Sequence, residues 1–279
     1  MIRRIVVPVD GSAASEKILP HLSELFRAAD ADVRFVHVYD WTEGGYRRGR
    51  EYLDGLAGRV RDRFPFVETE LLKADEPAFE ILKYAIVNHA DLIAMTTRSS
   101  SGVRKLLFGS TALELMRRSQ IPLFLARPDW PARPYRKILV PIDGSKTSQG
   151  ILPIVADLAR GAAATVALLT VLPNDGVRGP ASAALKRVGG AFVKAGIPVE
   201  SILKPGEAVR EILASARDEG ADLIALGTHG REGSDKFFFG SVAESVIQGA
   251  AVPLILRRKP RTIARRARPD RARAAPATK

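Results

Sequence analysis

Cysteine is absent from the 279 residues. That excludes disulfides, a thiol nucleophile and any cysteine-based metal site. Histidine is scarce, with four residues and no pair at metal-ligand spacing. Long apolar runs are missing as well. The longest mostly apolar stretch, AAATVALLTVL from Ala162, falls well short of the ~18 residues a membrane span needs. The opening MIRRIVVPVDG breaks its apolar run at Pro8 and Asp10, so it lacks the apolar core of a secretory signal. A cytoplasmic protein is the expectation. The chain also lacks the G-x4-G-K-[ST] phosphate loop, a G-x-G-x-x-G turn and any carboxylate pair placed to position water or a metal.

Charge of one sign is scarce in one place only. Residues 257–279 carry ten Lys and Arg against one acid. Residues 1–126 carry 18 against 17, residues 127–136 three against one, and residues 137–256 twelve of each. The net charge of +12 therefore belongs mostly to a tail, and the near-neutral body weakens the case for a basic groove on the fold. The tail mixes arginine with proline and alanine and has too little apolar content for a core, so disorder is expected there.

What is present is a repeat. RRIVVPVDGSAAS from Arg3 is answered by RKILVPIDGSKTS from Arg136, an offset of 133. LLKADEPAFEIL is answered by ILKPGEAVREIL, and ADLIAMTTR by ADLIALGTH, both at an offset of 131. IPLFLARP matches VPLILRRK. Order and spacing persist through both halves, which points to two copies of one unit. The three prolines of the intervening RPDWPARPY disfavour helix and strand pairing. The expected domains are 1–127 and 136–257, followed by the basic segment 258–279.

Within the second copy, solidly apolar runs at Ile138–Ile142, Thr165–Val171, Val199–Leu203, Leu223–Gly227 and Leu254–Leu256 read as strands covered on both faces. Amphipathic helices lie between them, with Ile151, Val155 and Leu158 on one face and Val209, Ile212, Leu213 and Ala216 on another. Pro77 opens a helix where its missing N–H costs little. Alternation of this kind predicts a parallel sheet with helices on both sides, and a ligand crevice beyond the carboxyl ends of the strands.

That crevice gives meaning to GTHGREGSDKFFFGS, Gly227–Ser241. Gly227 closes the fourth strand, and Gly240–Ser241 open the fourth helix. A helix start offers free N–H groups and a positive dipole end to a phosphate. Glycine lets backbone approach a ligand closely and permits positive φ, and the Ser241 hydroxyl is placed to cap the helix or meet a phosphate oxygen. Asp143, at the end of the first strand, aims a carboxylate over the same edge. His229 reads as a polar, solvent- or phosphate-facing loop residue rather than a base. Phe237–Phe239 read as a loop anchor, and His21 and His89 on helix positions and His37 on a strand read as structural.

These residues resemble the universal stress protein family, as a tandem of two such units. The family's ATP-binding pattern, G-x2-G-x9-G-[ST], is met by Gly227, Gly230, Gly240 and Ser241. Asp143 matches the acidic residue near the adenosine, and Val171 the position whose backbone reads adenine; His229 and Val242 complete the expected set. The resemblance implies ATP as ligand, with or without Mg2+. It also implies an α/β fold of two doubly wound, parallel, five-stranded units of the adenine nucleotide alpha-hydrolase-like kind. These would be packed as a pseudo-dimer through their last strands, as a monomer or a homodimer. In the first copy Asp10, Val38, Gly109 and Ser110 are in place, but Thr96 and Ser99 replace the first two glycines, so nucleotide binding is expected of the second half alone. The implied role is a stress-response or signalling module with an unidentified protein partner. Turnover would be limited to slow ATP hydrolysis or autophosphorylation. Two other readings stay open: an interaction scaffold that binds no nucleotide, and RNA or anionic-surface binding through the tail.

Overall fold

The apolar runs become ten strands among the described residues, and each half begins in the same way. The computed structural model of the protein describes residues 2–26, 31–97, 109–173, 178–228 and 240–258. In the first half the strands are β1 (Arg4–Pro8), β2 (Asp32–Tyr39), β3 (Phe66–Lys73), β4 (Leu92–Thr96) and β5 (Leu123–Ala126). The second half repeats them as β6 (Lys137–Pro141), β7 (Thr165–Leu172), β8 (Val199–Pro205), β9 (Leu223–Thr228) and β10 (Leu254–Arg258). A carboxylate pins the start of each unit. Asp91 Oδ2 accepts from the N–H groups of Arg3 and Arg4, both at 2.9 Å, and Asp222 Oδ2 accepts from those of Arg136 and Lys137 at 2.9 and 3.0 Å. The recurring Ala-Asp-Leu-Ile-Ala thus ties the fourth strand of each unit to the first.

The helices are α1 (Ala13–Glu16), α2 (Ile18–Leu25), α3 (Glu43–Val60), α4 (Pro77–Val87) and α5 (Ser110–Arg118), then α6 (Lys146–Gln149), α7 (Leu152–Ala162), α8 (Arg178–Lys194), α9 (Ala208–Asp218) and α10 (Ser241–Gly249). The first helical segment of each unit is broken in two. Pro20 and Pro153 explain the break, because a proline ring collides with the carbonyl four residues earlier. Those carbonyls belong to Glu16 and Gln149, the last residues of α1 and α6. Pro77 stands at the start of α4, as expected. His89 does not lie on the helix; it follows the α4 cap at Asn88 with φ of +52°.

Within each unit every neighbouring pair of strands is parallel. The order across the sheet is β3-β2-β1-β4-β5-β10-β9-β6-β7-β8. The halves join where β5 meets β10, antiparallel, with Phe124 opposite Ile255. The expected pseudo-dimer is therefore one continuous ten-stranded sheet, and the apolar last strands cover each other rather than standing as bare edges. The outer edges are β3 and β8. Along β3, Glu68, Glu70 and Lys73 are exposed, which discourages further strand addition.

Side chains alternate between two cores. Ile5, Val7, Val33, Phe35, Phe124 and Ile255 enter one, with residues of α2, α3, α7 and α8; Val6, Val36, Ile93, Leu125 and Leu254 enter the other, with α4, α5, α9 and α10. Both cores run through both halves. The proline-rich connection is seated on the first. Tyr135 is buried, its ring edge-on to Phe124 at 6.1 Å, and its hydroxyl lies 2.8 Å from His21 Nδ1.

Order reversal places a crevice in each unit. From β1 the chain passes to β2 on one side, while β4 lies on the other. β1 and β4 pair only at Ile5–Leu92 and Val6–Ile93, and β6 and β9 only at Ile138–Leu223 and Leu139–Ile224. Beyond those pairs Pro8 and Pro141 have no N–H to give, and the strand ends part.

Candidate functional site

Each crevice is floored by an Asp-Gly-Ser turn. Gly11 and Gly144 both have φ of +82°, a conformation L side chains rarely adopt, so the turn requires glycine. Ser12 and Ser145 then cap α1 and α6, accepting from Ser15 N and Ser148 N, both at 3.1 Å. Asp143 Oδ1 accepts from Ser145 N at 2.9 Å and from Ser148 Oγ at 2.5 Å. In the first unit Asp10 Oδ1 accepts from Ser12 N at 3.0 Å and Ser12 Oγ at 2.5 Å. These bonds all fall on Oδ1, so Oδ2 of each carboxylate has no hydrogen-bond partner among the described residues. Burial pushes the Asp143 carboxyl up, but hydrogen bonds from Ser148 and Ser145 outweigh it and hold the group below the ordinary carboxylate range. Asp10 is held low in the same way, by Ser12 and Ser15.

In the second unit a cavity of about 360 Å³ opens at this point. It brings together Asp143, Val171, Gly227, Gly240, Ser241 and Val242, six of the eight residues expected from the sequence. His229 and Gly230 lie outside the described residues, as do Ser99 and Phe237–Phe239. Sequence reasoning missed Ser148, which holds the carboxylate, and the apolar walls Leu226 and Ile212. The signal for Ser148 was present, since Asp-Gly-Ser-x-x-Ser recurs at Asp10–Ser15 and Asp143–Ser148.

The two glycines that bracket the cavity do different things. A Cβ on Gly227 would lie 2.3 Å from Thr147 O and 2.9 Å from Ser148 Cα. Gly227 does not have positive φ, so its requirement is space beside the α6 backbone and not unusual torsion. Gly240 is the reverse: a Cβ there meets nothing within 4 Å among the described residues, but φ is +86°. Gly240 is the N-cap of α10 and offers no side-chain cap, while Ser241 already stands inside the helix. The expected capping role for the Ser241 hydroxyl is therefore not seen, because the cap position belongs to the residue before it.

The first unit keeps its crevice, as a cavity of about 570 Å³ lined by Asp10, Val38, Thr96, Gly109 and Ser110 among others. Thr96 does not close it. Its hydroxyl donates to Ala14 O at 3.1 Å, where the second unit has Gly227 against Thr147. Gly109 differs from Gly240 in having φ of −58°. Among the described residues no group of three metal-ligating side chains could hold a metal ion. No helix among them is long and apolar enough to cross a membrane.

The sequence pattern of the universal stress protein family is matched twice, over residues 1–127 and again over 134–258. The chain belongs to the universal stress protein family. Universal stress protein MJ0531 of Methanocaldococcus jannaschii is 30% identical over 143 residues, which is 46% of this chain and 84% of that relative. Universal stress protein YxiE of Bacillus subtilis is 30% identical over 145 residues, covering 44% of this chain and 98% of its own length. A relative matched almost end to end thus accounts for less than half of this universal stress protein, as expected for a tandem. The crystal structure of a universal stress protein from Archaeoglobus fulgidus DSM 4304 shares the fold, with a TM-score of 0.78 at 22% identity over 91% of this chain and 98% of that one.

Proposed function

We propose that the second unit binds one ATP and that occupancy alters a partner-facing surface, making the protein a stress-response or signalling module. The observation that carries this reading is the single cavity on which Asp143, Val171, Gly227, Gly240, Ser241 and Val242 converge. Its parts suit a nucleotide. Val171, Leu226 and Val242 supply an apolar wall for a base, and the free Oδ2 of Asp143 suits ribose hydroxyls. The start of α10, nine residues long, has no side-chain cap among the described residues and presents its first N–H groups and positive dipole end to phosphate. Magnesium, with no protein cluster among the described residues to hold it, would arrive on the phosphates. The reading is of a binder, with slow hydrolysis or autophosphorylation as its upper limit of turnover.

Assignment to the second unit rests on Gly227 and Gly240, whose close approach and positive φ have no match at Thr96 and Gly109. Equilibrium dialysis with ATP tests the reading. Gly230→Val should abolish binding and Thr96→Val should leave it nearly unchanged; no binding by the unaltered chain would favour a scaffold that takes no nucleotide.

A further inference from the structure

A second polar cavity lies on the other side of the first unit's sheet. His37 and Tyr39 share strand parity with Val33 and Phe35, whose side chains enter the α3 core, whereas Val36 and Val38 face α4. Between α3 and the ends of β1 and β2 is a space of about 360 Å³, lined by Asp10, His37, Tyr39, Asp40, Arg48 and Tyr52 among others. Two glycines four residues apart create it. A Cβ on Gly45 would lie 2.1 Å from Asp40 Oδ1, and one on Gly49 would lie 2.7 Å from Leu71 Cδ1 and 3.0 Å from His37 Cδ2. The helix therefore rides close over the strand ends and carries Arg48 and Tyr52 with it.

We propose that this cavity is a binding site for a small, neutral, polyhydroxylated ligand the size of a monosaccharide. Its volume falls within the range of small-molecule pockets, roughly 300–1,000 Å³. Its polar groups are mixed in kind. His37 Nδ1 lies 2.9 Å from Val9 O, and a carbonyl only accepts, so Nδ1 donates there and Nε2 is the ring nitrogen left to meet a ligand hydroxyl. Asp10 and Asp40 are acceptors held ionised, Asp40 by hydrogen bonds from Thr42 and Asp10 by those from Ser12 against its burial. Arg48 supplies donors and makes no hydrogen bond or ion pair among the described residues, although its charge is felt by Asp40. Two carboxylates against one guanidinium disfavour a phosphate, and the guanidinium disfavours an organic cation. A hydroxyl satisfies both kinds of group at once, giving its proton to a carboxylate and accepting from Arg48. Aromatic rings complete the walls: His37 and Tyr52 stand 5.6 Å apart, and Tyr39 meets Tyr46 edge-on at 5.6 Å.

The second unit serves as an internal control. The counterparts of His37, Tyr39 and Asp40 are Thr170, Leu172 and Pro173. Thr170 Oγ1 donates to Ile142 O at 3.0 Å, so the fold's need for a donor at that carbonyl is met by a threonine. The imidazole, phenol and carboxylate of the first unit exceed that need.

The test is a titration of the full-length 15N-labelled chain, followed by NMR, with D-ribose, D-glucose and myo-inositol; inorganic phosphate and tetramethylammonium serve as charged probes. At least one of the three neutral probes should give saturable shifts at the amides of Tyr39, Arg48 and Tyr52. Arg48→Met and Asp40→Asn, both at exposed positions, should each weaken that binding about tenfold, the loss of one charge-assisted hydrogen bond. Arg48→Met, which removes no such bond among the described residues, should do so with unchanged melting temperature. Asp143→Ala should not affect it, whatever its effect on ATP. The proposal is overturned if no neutral probe saturates, if only phosphate or tetramethylammonium shifts these amides, or if affinity is indifferent to both substitutions.

Discussion

Gly227 and Thr96 stand at the same place in two copies of one unit, and the difference is decided by ångströms of helix approach. Because the α6 backbone lies where a Cβ on Gly227 would go, Gly227→Ala must push helix and strand apart. Overpacking of this kind costs about 1–3 kcal/mol, so urea denaturation should show that loss even without nucleotide. Asp143 carries a different expectation. Its folded-state pKa is depressed, so the stabilisation from its hydrogen bonds is fully present above the unfolded-state value, about 3.9. It is lost as pH falls through the lower folded-state value. The stability gap between the unaltered chain and Asp143→Asn should thus be present at pH 7 and close in the acid range below that unfolded value. A gap that widened in acid would contradict the assigned hydrogen bonds. For ATP, Asp143→Ala should weaken affinity by about 1–3 kcal/mol in calorimetric titration.

At the scale of elements, strand identity was legible because buried parallel strands are marked by solid apolar runs, and the five runs of the second unit all became strands. The pairing of β5 with β10 followed from the resemblance and from the apolar character of both. Other features were less legible. Ile151, Val155 and Leu158 read as one helical face, and all three are buried, yet Pro153 divides the segment into α6 and α7. The proline was visible in the sequence, but the apolar spacing survives the break and hides it. The open first cavity was not legible at all. Thr96 reads as bulk in the crevice, and only the tertiary position of Ala14 O shows where its hydroxyl goes. The join between units gives its own prediction. Phe124 is fully buried where both halves contribute to one core, so Phe124→Ala should lower unfolding free energy by about 3–5 kcal/mol. Because the two cores run through both halves, that loss should appear in a single transition in circular dichroism; two separated transitions would show that the halves fold independently.

For the whole molecule, the excess positive charge is concentrated at one end of the sequence. Strand β10 ends at Arg258, the last described residue, while residues 260–279 hold seven Lys and Arg against one acid. Truncation after Lys259 should leave the melting temperature unchanged and remove any binding to RNA or anionic lipid, binding that should already fall steeply with salt in the full chain. Salt-insensitive RNA binding by the truncated chain would place that function on the folded body instead. The duplicated crevice poses the larger question, because both units keep a cavity and only one keeps all three glycines of the pattern. Calorimetric titration of the full chain with ATP addresses it directly. The account predicts a stoichiometry of about one per chain, with binding lost in Gly230→Val and retained in Thr96→Val; a stoichiometry near two, or binding that survives Gly230→Val, would contradict it.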